Sequence, residues 1–487
     1  MKKNIIKISL AALTVFVSLT SCERNLDQIS SINEDQDQAM TRAESFRQAM
    51  DGAYTALKGG GYYSGDTGSQ LIMGDLTTDN LIRTASGRNT NFAASNFEFS
   101  SDNSQTTGLY NAAYLAISRT NFVLKYINNG VLSGTQKTNI EAEARALRAI
   151  VHFDIVRAYS QIPTQSAGAK SSIGIYYSET YSPLNNTSSR NLTVEQVYDK
   201  IIADLLFAAD NITQNDADKG RLSKAAIYGL LSRVNLYKGD YANTIKYGEL
   251  ALGLSPSITA KDNFSRIWKE NEGLSRITDG VLFQVSNAAA EQNTVGAAYN
   301  QAVPSLRSEF VVDYDLYTAY TDNDVRKSAY FTTSIYSKQK YNHVTKYAGN
   351  GGPSNIVPIK YLRSAEVLLN IAEAYYRSGD QASALTLLNK LRVERYTTFT
   401  PGTEAGQLLL DAILKERRLE LAFENDRWYT LKRLGLPVQR SGKGDLFDGT
   451  GSPAVKQTLD AGNTKWQWPI PITAIQANPN IKQNENY

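Results

Sequence analysis

Two stretches of this chain carry the same helical hairpin, and that repeat limits the possible fold more than any other feature. Over 222–252, apolar residues fall at Ile227, Leu230, Leu231, Val234 and Tyr237. This is the i, i+3, i+4, i+7 stripe of a half-buried helix. Ser223 suits an N-cap, and Gly239-Asp240 breaks the stripe where glycine can take the left-handed conformation of a helix end. A second stripe follows at Ala242, Ile245 and Leu252. Downstream, Ile371, Ala374, Tyr376, Gly379-Asp380, Ala382 and Leu385 match Leu231, Val234, Leu236, Gly239-Asp240, Ala242 and Ile245 at a constant offset. A helix pair of this length, with alanine where helices approach and a glycine turn, is the physical form of a tetratricopeptide-type repeat. The full consensus of that repeat is absent, so the assignment rests on periodicity and turn.

Further helices complete an all-α, tetratricopeptide-like scaffold. Over 140–159, Ala144, Leu147, Ile150, Val151, Ile155 and Tyr159 lie at helical spacing. Thr193-Val194-Glu195-Gln196 opens the helix over 192–209 as a capping box, with Leu192 and Val197 at the two staple positions. Helices over 109–127 and 408–423 add packing faces, and folding begins near Thr41 with a helix to about Lys58. The Ser-, Gly- and Pro-rich stretch 160–190 reads as a surface loop. The predicted hairpins therefore span about 140–210, 222–252 and 361–393, all within one domain over 41–487. Long irregular stretches interrupt them at 59–107, 255–347, 397–406 and 441–466. Loops of this length inside a helical protein are often functional.

The first residues carry a different signal. Lys2 and Lys3 precede an uncharged run from Ile8 to Cys22, rich in Leu, Ala, Val and Phe. That is the pattern of a secretory signal, and the run is shorter than the roughly 20 apolar residues a spanning helix needs. Leu19-Thr20-Ser21-Cys22 has the form of a lipobox, and Cys22 is the only cysteine. Residues 1–21 are thus predicted to be a lipoprotein signal peptide, with Cys22 carrying the lipid and the polar stretch 22–40 acting as a flexible tether. No disulfide is expected, and a chain of this size can do without one. Removing Lys2, Lys3 and Lys7 takes the formal net charge from +3 to near zero, which gives no reason to expect nucleic acid as a partner.

Catalytic and metal-binding signatures are missing. The two histidines, His152 and His343, are far apart, and His152 between Val151 and Phe153 reads as a satisfied core residue. No H-E-x-x-H, paired-cysteine or EF-hand pattern occurs, and no nucleophile elbow marks a serine hydrolase. Gly59-Gly60-Gly61 leads into Tyr62-Tyr63, so it is no phosphate loop. The expectation is a non-enzyme without metal or cofactor. Tyrosine is abundant, 29 against 15 phenylalanines, which suits surfaces meeting a partly polar ligand. More than half of the tyrosines are expected to sit half-buried between helices.

Several motifs in order resemble one family along essentially the whole mature chain. Glu141-Ala142-Glu143-Ala144-Arg145-Ala146-Leu147-Arg148-Ala149 with Phe153-Asp154, Tyr159 and Pro163 is similar to the "EARFLRA…FDLV..YG..P" helix of the SusD/RagB nutrient-binding outer-membrane lipoproteins. Gly220-Arg221-Leu222-Ser223-Lys224-Ala225-Ala226 with Tyr237-Lys238-Gly239-Asp240-Tyr241 resembles their "RATKAAA…LYxGDY" hairpin. Tyr361-Leu362-Arg363-Ser364-Ala365-Glu366 with Ala372-Glu373-Ala374, then Glu416-Arg417-Arg418-Leu419-Glu420-Leu421-Ala422-Phe423-Glu424 with Asp426-Arg427-Trp428, resemble "xRLAEVYLNYAEA" and "ERRxELAFEGxRWxDL". Pro469-Ile470-Pro471 with Asn478-Pro479 and Gln483-Asn484 resembles the tail, where Glu485-Asn486 replace the usual Pro-Gly, while Asn425 stands where Gly is common. Glu416, Glu420 and Glu424 are like charges at i, i+4, unfavourable alone. They are expected to be bridged by Arg417, Arg418 and Arg427 in a buried architectural network.

The resemblance implies a surface-exposed lipoprotein of the outer membrane, anchored at Cys22 on the extracellular face. It would capture an oligosaccharide and deliver it to a SusC-type TonB-dependent transporter. Family sites lie on loops outside the repeats, so ligand candidates come from the two large insertions. In 59–107 they are Asp75, Asp79, Asn80, Arg83, Arg88, Phe92, Asn96, Phe97 and Phe99. In 255–347 they are Trp268, Tyr299, Asn300, Tyr317 and Tyr320. Aromatic faces would stack on sugar rings and the polar groups would bond hydroxyls. Peptide cargo on the same fold is the first alternative, because the first insertion lacks tryptophan. A helical-repeat scaffold binding other proteins is the second.

Overall fold

The computed structural model describes residues 39–487 apart from 66–67, 69, 183–186, 214–217, 256, 270–279, 288–292, 303–305 and 349–356. Cys22 and the signal and most of the tether lie outside the described residues. Helix α1 (Ala43–Ala56) starts the body, and α2 (Gln70–Leu76) follows after a glycine-rich turn. Then come α3 (Ser104–Tyr126), α4 (Gly134–Tyr159), α5 (Val194–Asn211), α6 (Lys224–Lys238) and α7 (Tyr241–Leu254). After the second insertion the helices resume as α8 (Ser364–Arg377), α9 (Gln381–Arg392), α10 (Gln407–Glu420) and α11 (Arg427–Arg433).

Local chemistry sets these ends. The Thr193 hydroxyl accepts from the Gln196 backbone N–H while the Gln196 side chain caps Thr193 in return. Ser223 caps α6 through the Ala226 N–H. Gly239 and Gly379 take φ values of +83° and +91° at the two matching turns, which costs glycine nothing and lets Asp240 and Asp380 cap the next helices.

Each helix packs on its sequence neighbour from α3 to α7, and α7 then packs on α8 across the gap left by the insertion. The α7–α8 approach is close because Gly248 has no side chain. A Cβ there would sit 2.4 Å from Ile371 Cγ1, so glycine rather than alanine marks this contact. One continuous apolar core runs from Met40 to Ile481. Residues 160–190 are not simply a surface loop, since Ile162, Ile175, Tyr177 and Arg190 are buried. Nor are the tyrosines mainly half-buried: Tyr62, Tyr63 and Tyr361 lie within the core and donate to Asp154 at 2.5, 3.0 and 3.2 Å.

The insertions expected to be irregular contain short strands. Among them are β1 (Leu81–Arg83), β2 (Val281–Val285), β3 (Phe310–Val312), β4 (Phe331–Tyr336) and β5 (Gln339–Val344), and β6 (Ile359–Arg363) follows just past the second insertion. An antiparallel sheet of order β1-β3-β5-β4 joins the first insertion to the second, with Ile82 opposite Val311. Strands β2 and β6 form a separate pair. Strands this short show little alternation: β2, β3 and β6 are buried along their whole length, so no period of two marks them.

The glutamate ladder of α10 is buried, but its partners differ from those expected. Glu416 pairs with Arg326 at 2.9 Å and Arg392 at 3.2 Å. Glu420 takes Arg363 at 2.6 Å and Arg395 at 2.7 Å, and Glu424 takes Arg363 at 2.5 Å and Lys346 at 2.8 Å. All these cations come from other elements. Arg417 turns instead to Asp426 at 2.5 Å, while Arg418 and Arg427 reach Asp79 at 3.1 and 2.7 Å. The reason is geometric: Arg417 and Arg418 project away from the carboxylates of α10, Arg427 stands on α11, and all three serve neighbouring elements.

Candidate functional site

A cleft of about 250 Å³ opens at the free edge of β1. One wall is the first insertion, with Leu81, Ile82, Arg83 and Asn96. The other is the segment Ser452, Pro453, Ala454 and Val455, with Arg440 at the junction. The arms are tied by charge-assisted bonds. The Asp445 carboxylate accepts from the Ala85 and Ser452 backbone N–H groups, both at 2.8 Å. Arg440 donates to the carbonyls of Thr78 at 2.9 Å, Leu76 at 2.9 Å, Ser95 at 2.8 Å and Lys456 at 2.6 Å. Its guanidinium also lies 4.9 Å from the Phe97 ring centroid. Burial lowers its pKa to about 10, with Asp79 and Asp313 opposing, so it remains charged at neutral pH.

The loop between these ties is strained. Asn89, Asn91 and Phe97 have φ values of +64°, +54° and +61°. Such conformations cost on the order of 1–3 kcal/mol each and persist only where surroundings hold them. They turn Phe92 outward, 41% exposed. Arg83 lies over its ring, 4.9 Å from the centroid, and is itself held by the Thr90 carbonyl at 3.1 Å and the Asn89 side chain. Glu309 accepts from the Arg88 Nε and backbone N–H, both at 2.7 Å. Asn96 lines the cleft, and its amide makes no side-chain bond among the described residues. The site thus combines an exposed aromatic face, a guanidinium and a free amide.

The remaining candidates lie elsewhere, and burial explains why. Asp75 accepts from the Asn80 amide at 2.7 Å and the Phe423 N–H at 3.0 Å. Asp79 binds Arg427 and Arg418, and Arg418 also donates to Asn80 at 2.9 Å. These three staple the loop to the end of α10 and face no cleft. Phe97 and Phe99 pack inward, Phe99 edge-on to Trp428. Trp268 is buried with Lys346 over its ring, and Tyr299 packs on Tyr347. Asn300 and Tyr320 bond the carbonyls of Val344 and Leu419. Tyr317, partly exposed, sits by Thr333 and Phe331, outside the cleft. All four tryptophans are at most 3% exposed, so no tryptophan face is offered at the surface. Sequence reasoning missed Arg440, Asp445 and the 452–455 wall. The signal for Asp445 and 452–455 was the length of the stretch 441–466, from which no candidate was drawn.

The histidines are packing residues in this arrangement. His152 Nδ1 donates to the Arg148 carbonyl at 2.9 Å, its Nε2 accepts from the Ser178 N–H at 3.0 Å, and its ring stacks on Tyr177. Burial, with Arg148 nearby, lowers its pKa to about 3. His343 and Ser308 meet at 2.7 Å but both are buried, and Ser308 also donates to the Tyr299 carbonyl. Among the described residues no cluster of metal-ligating groups forms.

Asp75 supplies a pH test of the staple. Burial pushes its carboxyl up to about 7, with the Asn80 and backbone bonds opposing. The fold therefore binds this proton more tightly than the unfolded chain does, near 3.8. Its contribution is complete below about pH 4 and is lost as pH rises to 7. Asp75→Asn is expected to flatten that fall, seen as a smaller drop in melting temperature between pH 4 and 7 than in the parent. An unchanged slope would refute the assignment.

Comparison with known proteins agrees with the fold. Residues 29–236 match the family described as starch-binding associating with outer membrane, and residues 265–487 match the SusD family. SusD-like protein P2 of Formosa agariphila is 26% identical, over 90% of this chain and 91% of that one. A Bacteroides vulgatus structure described as a sugar binding protein superposes with TM-score 0.80 at 25% identity, covering 92% of this chain and 99% of that one. Surface glycan-binding protein A of Bacteroides uniformis shares the fold at TM-score 0.67 and 20% identity, over 91% and 99% of the two chains. With two family models matching in succession and the helical-hairpin fold common to these structures, the chain carries SusD/RagB family domains over 29–236 and 265–487.

Proposed function

We propose that this chain is a lipid-anchored nutrient-binding protein of the outer cell surface. It holds an oligosaccharide at the β1 cleft without catalysing its cleavage and passes it to a SusC-type TonB-dependent transporter. The observation that carries this reading is the outward Phe92 ring backed by Arg83 beside a cleft with a free amide. A flat aromatic face takes the apolar side of a sugar ring, and the polar neighbours take its hydroxyls. The sugar-binding description of the Bacteroides vulgatus relative and the outer-membrane description of the matched family support it. Cys22 supplies the anchor in this reading, tethered through 22–40 on the extracellular side.

Titration of neutral oligosaccharides tests the site. Phe92→Ala is expected to weaken the best binder about tenfold, or 1.4 kcal/mol, with no change in melting temperature. Equal affinity in parent and variant would remove the cleft from the account.

Peptide cargo has one observation in its favour. The outer edge of β1 pairs with no strand among the described residues, and Leu81, Ile82 and Arg83 line the cleft. An extended peptide could add there as a further strand. Binding of unstructured peptides without any saccharide binding would select this reading.

A further inference from the structure

A larger cleft, of about 740 Å³, lies between the turn after α4 and the C-terminal segment. It falls within the roughly 300–1,000 Å³ of ordinary ligand sites, whereas the β1 cleft falls short of that range. Most of its lining residues are neutral and polar, with Gln161, Gln165, Asn463 and Gln467 on the walls beside the apolar Ile173 and Ala461, and Lys482 and Glu485 at the C-terminal side.

The floor of this cleft is fixed by bonds that leave several groups on its walls unused. Arg190, buried, donates to the carbonyls of Gly174 at 2.9 Å and Lys482 at 2.7 Å and to the Asn484 side chain at 3.1 Å. Asn484 donates in turn to the carbonyls of Tyr159 at 2.7 Å and Trp468 at 2.6 Å. Gln483 closes a two-way bond with Ile470 at 2.8 Å. By contrast, the Gln161 and Gln165 amide NH₂ groups, the Gln467 amide oxygen, the Lys482 ammonium and the Glu485 carboxylate make no bond among the described residues. A rigid floor with free donors and acceptors side by side suits hydroxyls, which act as both.

One segment lines both clefts. Gly435 borders the larger and Arg440 the smaller, and the chain returns from Val455 at the smaller to Ala461 at the larger. Five residues of extended chain span at most roughly 17 Å, so a wall residue of one cleft lies within that distance of a wall residue of the other.

We propose that the larger cleft is a second saccharide subsite, which holds the hydroxyl groups of one neutral oligosaccharide whose other end occupies the β1 cleft. The proposal rests on the saccharide reading above. Two linked contacts raise affinity with chain length, because the second becomes intramolecular.

Calorimetric titration of the mature protein decides it, with maltoheptaose, cellohexaose, xylohexaose, mannohexaose and laminarihexaose and the matching disaccharides as probes. Gln161→Ala with Gln467→Ala disables the larger cleft. Lys482→Ala with Glu485→Ala, at exposed tail positions, does so without touching the body. Either pair is expected to weaken the long binder about tenfold and to leave its disaccharide unchanged. Phe92→Ala should retain weak binding of the long sugar that disappears when either pair is added. Parent-like affinity of both pairs for every length would overturn the second subsite while leaving the first cleft intact. If no probe binds the parent, the saccharide reading falls and the subsite with it.

Discussion

Replacing Glu420 by alanine is expected to lower stability by roughly 3–5 kcal/mol, the range for breaking a buried ion pair by removing one partner. Its carboxylate meets Arg363, Arg395 and Arg326, and all three side chains are at most 1% exposed. Without it, three guanidinium groups share the remaining acids with no water to replace the lost charge. Burial works against the charge on Glu420, yet Arg395 and Arg363 hold its carboxyl far below the ordinary 4.5. Its contribution is therefore complete above about pH 4.5 and is lost as acid protonates it. Urea unfolding at pH 7 should show the full deficit in the alanine variant and a smaller one in Glu420→Gln, which keeps an acceptor. A deficit under 1 kcal/mol for alanine would show that the network is not a keystone.

The second large effect falls on Arg440. Its guanidinium holds four carbonyls from the two walls of the β1 cleft. Hydrogen bonds to a charged donor contribute about 1.5–3 kcal/mol each and are not additive. Arg440→Ala should therefore destabilise the fold by about 3 kcal/mol and reduce saccharide affinity more than tenfold, with helix content by circular dichroism unchanged. Arg440→Lys should not rescue binding, because an ammonium lacks the planar fork that reaches several acceptors at once. Normal binding by either variant would separate the clamp from the site.

The helical frame was legible because its signals are local. Thr193-x-x-Gln196, Ser223 and the Gly-Asp turns at 239 and 379 each act within one helical turn, so spacing alone reveals them. The sheet was not, because strands such as β3 are three buried residues whose partners lie in another insertion. The candidate site was legible in part. Arg83, Phe92 and Asn96 come from the insertion that the family resemblance indicated, and Arg83 and Asn96 line the cleft. Asp75, Asp79 and Asn80 stand in the same stretch with the same chemistry, yet they bind the end of α10 and its following turn. Sequence spacing does not separate an acid that faces solvent from one that meets an arginine far along the chain. Arg440 was missed for the same reason, since its partners are backbone carbonyls and no residue type announces them.

The contact of α7 with α8 has a consequence for how the molecule is made. Gly248 and Ile371 close the helical stack across the whole of 255–363. A chain emerging from its N-terminus can stack α3 to α7 early, since those contacts are local and form fast. The α7 face then stays uncovered until α8 has been delivered. In that interval the half-built stack presents apolar surface to its surroundings, a state prone to aggregation. Maturation therefore has a vulnerable window whose length is set by the insertion that supplies the strand paired with β1. Lengthening that insertion would delay closure, and a holdase that shields helical surface would shorten the exposure.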